Sequence, residues 1–115
     1  MSIERINPGA RMSQAVIHAD TVYLAGLTAD DLSEDVKGQT RQVLAKIDSL
    51  LAKAGTDKSK VLSVNIWLSD IGTWDQMNEV WDAWVSKGNA PARATVEAKL
   101  ARPGVSVEIM LQAAR

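Results

Sequence analysis

The sequence predicts an α+β fold, a β-sheet with two helices packed on one face. Three observations predict it: a β-prone first third, two helical repeats separated by a strictly alternating segment, and a last quarter that alternates again. The order is ββ(β)-α-β-α-β-β. Its 115 residues show no internal repeat, low-complexity stretch or linker, so the expectation is one domain over residues 1–115.

The first strand, over residues 3–6, is short and ends at the turn signal Asn7-Pro8-Gly9. Two β-prone runs, 13–18 and 21–26, are parted by Ala19-Asp20 in hairpin fashion. A helix is predicted over 33–54, because Val43, Leu44, Ile47, Leu50, Leu51 and Ala54 recur at three- and four-residue spacing and Gly55 supplies a stop. Leu62, Val64, Ile66 and Leu68 then alternate with Ser63, Asn65, Trp67 and Ser69, the mark of a strand with one buried face. A second helix opens with Thr73 and Gln76 at capping-box spacing, buries Met77, Val80, Trp81, Trp84 and Val85, and ends at Gly88.

In the last quarter, Ala92, Ala94, Val96, Ala98 and Leu100 share one face, and Val105, Val107, Ile109, Leu111 and Ala113 are expected to return on that same face. With Arg102-Pro103-Gly104 between them, the expectation is a hairpin in which Glu97 faces Glu108. The side of the sheet without helices would carry Tyr23, Ala25, Asn65, Trp67, Arg93, Thr95, Glu97, Glu108 and Met110. That aromatic, mixed-polar surface suggests covering by another copy of the chain.

Composition narrows the chemistry. There is no cysteine, hence no disulfide, thiol nucleophile or thiolate metal site, and the single His18 rules out a two-histidine metal site within one chain. A net charge of −1 without a basic run gives no footprint for nucleic acid or anionic membrane. No apolar run is long enough to span a bilayer, and the N-terminus has no signal core. The expectation is a cytoplasmic protein without metal or cofactor, and without nucleic-acid or membrane partners. Catalysis would run on carboxylates, arginine, hydroxyls, amides and backbone groups.

Arg93 is the sharpest candidate. It follows Asn89-Ala90-Pro91-Ala92 and is flanked by small residues, so its planar fork can grip a carboxylate. A surface arginine in a solvated pair would look the same. Glu108 could do acid–base work if a cation or shared proton relieved its repulsion from Glu97; two splayed, exposed carboxylates are the alternative. Asn78 flanks the apolar stripe of the second helix and could aim its amide at a ligand or merely bond a loop.

The ordered blocks Ser13-Gln14-Ala15-Val16, Val22-Tyr23-Leu24-Ala25-Gly26, Gln39 to Leu44, Asp70 to Trp81, Pro91-Ala92-Arg93-Ala94-Thr95-Val96 and Val107-Glu108-Ile109 resemble the RidA/YjgF family of reactive enamine/imine deaminases, closest to its short YoaB-like branch. The resemblance implies a chorismate-mutase-like single layer of mixed sheet, and a homotrimer with active sites between subunits. It also implies hydrolysis of 2-imino and enamine acids to 2-keto acids and ammonia. Arg93 matches the carboxylate-binding arginine and Glu108 the water-activating glutamate. Asn78, Thr95, Gly26 and Met12 fall at substrate-contacting positions. Three of the matches depart: Met12 replaces a tyrosine, Ala25-Gly26-Leu27 replaces Ser-Gly-Gln, and Thr95 stands where cysteine is frequent. The Met12 and Ala25 departures favour the alternative of a non-catalytic trimer that binds a small carboxylate as sensor or scaffold.

Overall fold

Val64, Ile66 and Leu68 have at most 2% of their surface exposed, as do Val107, Ile109 and Leu111, and these two rows form the floor of the core. They belong to neighbouring strands of one six-stranded sheet in a computed structural model that describes residues 1–115. The strands are β1 (Ile3–Pro8), β2 (Ser13–His18), β3 (Thr21–Leu24), β4 (Val61–Leu68), β5 (Ala92–Glu97) and β6 (Val107–Ala114). Their spatial order is β1-β2-β3-β6-β4-β5, antiparallel throughout except for the parallel pair β4–β5. The helices α1 (Val36–Lys53) and α2 (Trp74–Trp84) lie on one face, with Val43, Ile47, Leu51 and Met77 fully buried against it. No helix is long and apolar enough to cross a membrane.

The helix signals read from the sequence hold with trimmed ends. Asp35 caps α1, its Oδ1 accepting from Gly38 N at 2.9 Å. Gly55, at φ 81°, closes the other end in the left-handed conformation that glycine alone adopts freely. The second helix differs from its expected limits. Thr73 makes no side-chain cap bond; its hydroxyl donates to Asp70 O in a short 3-10 turn (Ile71–Thr73), and the helix stops at Trp84. The capping box is therefore not formed.

The expected terminal hairpin is also absent. A helix between β4 and β5 makes a βαβ unit, which returns the chain parallel to its starting strand. β5 accordingly takes the outer edge beside β4, and β6 runs between β3 and β4. Glu97 pairs in register with Leu68 and Glu108 with Trp67, so the two carboxylates do not face each other. Register also decides the faces. Arg93 pairs with Val64 and Thr95 with Ile66, both helix-facing, so Arg93, Thr95 and Glu97 lie on the helix side, contrary to expectation. Ala92, Ala94 and Val96 lie with Asn65 and Trp67 on the open side. A bulge between Val61 and Ser63 turns Leu62 outward, 53% exposed, although alternation alone would have buried it.

Candidate functional site

Trp74, Asp75, Asn78, Trp81 and Asp82 fall at i, i+1, i+4, i+7 and i+8, which is one face of a helix. α2 presents that face to the edge strand β5, and with Arg93 it lines a cleft of about 610 Å³. The Arg93 guanidinium lies over the indole of Trp81, 5.2 Å from the ring centroid, a cation–π contact that orients the fork. Partial burial pulls the Arg93 pKa below the ordinary arginine value, while the charge of Asp82 opposes the shift; the group stays cationic. The protein's two ion pairs are Lys37–Glu79 and Lys46–Asp30, so Arg93 has no carboxylate partner of its own. Two residues along β5, the Thr95 hydroxyl is buried with no hydrogen-bond partner.

Glu108 occupies the other face of the sheet. Leu27 and Ile109 exchange backbone hydrogen bonds at 2.8 and 3.1 Å, one residue out of step with the β3–β6 register. That slip lays Gly26 against the Glu108 carboxylate so closely that a Cβ at position 26 would overlap Oε2. Only glycine leaves the carboxylate its place. Met12 stands about half-exposed on the turn between β1 and β2, two strands away from β6.

The sequence-derived candidates thus separate into two groups. Arg93, Asn78 and Thr95 belong to the helix side at the β5 edge, and Glu108 and Gly26 belong together at β6. Arg93 and Glu108 are two strands and three residues apart, about 14 Å by strand spacing and rise, and point to opposite faces. One protomer does not bring them together.

Trp81 was expected to be core alone, and its second role as the platform for Arg93 was missed, as were Asp75 and Asp82 at the cleft rim. The helical spacing of these residues with Asn78 was the available signal. Gln39 was missed as well. It is 1% exposed, and its side chain donates to Glu34 O and Gly104 O at 3.0 Å and accepts from Ser106 N at 2.9 Å. This ties α1 to the loop that leads into Glu108. Elsewhere, a hollow of about 590 Å³ between the helices contains Asp48, Lys58 and Trp84, whose polar groups bond one another. No three His, Asp or Glu side chains converge where they could hold a metal ion.

Fold and site together define a single-sheet α+β protein with an arginine cleft at one sheet edge and a glycine-clasped glutamate on the opposite face. Residues 2–115 match the family model described as Endoribonuclease L-PSP. The chain is 45% identical over 114 residues to the RutC family protein YoaB of Escherichia coli K12, covering 99% of both. A crystal structure of a YjgF family member from Neisseria meningitidis superposes with a TM-score of 0.97 at 44% identity, over 100% of this chain and 96% of that one. A Rid family protein of unknown function from Yersinia pestis superposes at 0.87 with 33% identity, over 94% and 90%. The chain belongs to this RutC/YjgF/Rid family, as its sequence blocks had suggested.

Proposed function

We propose that the protein hydrolyses reactive 2-imino and enamine acids to 2-keto acids and ammonia, in sites formed between the subunits of a homotrimer. The observation that carries the reading is Arg93, a cation without a protein counter-ion, partly buried and placed over the Trp81 ring beside Asn78. Such a fork binds a carboxylate in two parallel hydrogen bonds, and the partial burial of Arg93 strengthens them.

The bond changes need little beyond positioning. A protonated imine is already electrophilic at C2. Water held by Glu108 adds there, the C=N π pair moves to nitrogen, and the carboxylate takes the water proton. Returning that proton to nitrogen makes it a leaving group: the C2–N bond breaks, the C2–OH oxygen becomes the keto group, and Glu108 takes the hydroxyl proton and passes it to the departing ammonia, which leaves as ammonium. Asn78, Thr95, Gly26 and Met12 would line the substrate's path.

Arg93 and Glu108 point to opposite faces of one protomer, so this reading pairs the arginine of one subunit with the glutamate of another. The open face suits that assembly: Tyr23 is 42% and Val96 50% exposed there, with Trp67 and Met110 half-buried beside them. The absence of a hydroxyl at Ala25 favours a second reading, a sensor that binds a small carboxylate without turnover. Imino acids generated in situ by an amino-acid oxidase decide between them. Ammonia release that disappears in Arg93→Ala, with the oligomer unchanged by light scattering, supports the deaminase. Undiminished release in the variant overturns the assignment of Arg93, and tight binding without release supports the sensor.

A further inference from the structure

Around Arg93 the cleft is acidic, and not evenly so. Three α2 carboxylates line it: Asp75, Glu79 and Asp82. Glu79 is paired with Lys37 at 2.7 Å and contributes little net charge. Asp75 and Asp82 are exposed and have no ion-pair or side-chain hydrogen-bond partner. Arg93 therefore works in a cleft whose remaining charge is two negatives to one positive. Once a substrate carboxylate neutralises Arg93, only the two aspartates are left to act on the rest of the ligand.

We propose that this acidic rim makes the Arg93 cleft select 2-imino acids by the charge of their side chain, favouring a cationic side chain and rejecting a second carboxylate. The inference rests on the function proposed above and names its substrate class. A carboxylate-bearing side chain entering beside Asp75 and Asp82 meets repulsion from both, whereas a guanidinium or ammonium meets attraction from both. Trp74, 47% exposed at the cleft mouth, offers the same cation a ring face. Both aspartates are solvated, so the discrimination is about tenfold and shrinks with salt.

The test compares imines made in situ from arginine, leucine and glutamate. Arginine is chosen because a side-chain amine would cyclise onto the C2 centre more readily than a guanidinium. The expected kcat/KM for the arginine imine exceeds that for the glutamate imine about tenfold at low salt, and the ratio falls towards one in the double variant Asp75→Asn/Asp82→Asn. The wild-type ratio and its salt dependence need no variant to fold. Turnover of the leucine imine with a ratio at or below one overturns the charge inference and leaves the deaminase reading standing. If no imine is turned over, the deaminase reading fails, and calorimetric binding of the three corresponding 2-keto acids decides the charge preference. A glutamate-derived ligand bound as tightly as the arginine-derived one overturns it.

Discussion

Replacing Gly26 with alanine perturbs one contact and little else. The backbone at Gly26 is not left-handed, so alanine is conformationally acceptable; the difficulty is that its Cβ would overlap Oε2 of Glu108. An ordinary carbon–oxygen contact requires the carboxylate to retreat by about 1 Å, which its flexible, partly exposed side chain can do cheaply. The stability cost is therefore small, below about 1 kcal/mol. The catalytic cost is not, because a displacement of about 1 Å in a water-positioning group lowers the rate roughly a hundredfold, about 2.7 kcal/mol in barrier. The assay pairs a thermal melt with initial rates of ammonia release from an imine generated by an amino-acid oxidase. The expected result is a melting temperature within a few degrees of wild type and a collapse in kcat. A variant as active as wild type would refute the idea that Gly26 is there to seat Glu108.

Arg93→Lys keeps the charge but loses the planar fork that lies over Trp81, and is expected to raise KM more than tenfold, read from imine-hydrolysis kinetics. Glu108→Gln is expected to lower kcat while leaving KM within about twofold, since carboxylate capture does not involve it. Gln39→Leu strands Ser106 N–H and the carbonyls of Glu34 and Gly104, costing about 2–4 kcal/mol and lowering the Tm by roughly 10 °C in a thermal melt. The Glu79 carboxyl is held below its ordinary range, first by the hydrogen bond from Lys37 and then by that residue's charge. Its stabilising contribution is present above the ordinary carboxylate range and is lost as pH falls through the depressed value. Glu79→Gln should flatten that part of the acid limb of a Tm-against-pH curve.

Both helices and the order of elements were legible because 3.6-residue and two-residue periodicities are local properties of the chain. Strand partnership was not. Ala92, Ala94 and Val96 alternate with Arg93, Thr95 and Glu97 whichever face is inward, and a period of two does not say which. At a sheet edge that α2 covers incompletely, the polar set turned towards the helix, where Trp81 supports Arg93, and the small apolar set took the open face. Proximity in sequence suggested a β5–β6 hairpin, but the βαβ unit through α2 sent β5 to the far side of β4. The residue types of the candidate site could be read from the chain. Their division between two faces depended on long-range register, as did the contact of Gly26 with Glu108.

That division makes the shared site the central claim, and subunit mixing tests it most directly. Arg93→Ala and Glu108→Ala oligomers, each expected to be inactive, are dissociated, mixed in equal amounts and reassembled. In a mixed oligomer, an intact Arg93 from one subunit can meet an intact Glu108 from its neighbour, and random mixing completes about a quarter of the sites. Recovery of roughly that share of wild-type imine hydrolysis is the predicted result. Verified mixed oligomers that remain as inactive as their parents would contradict the account.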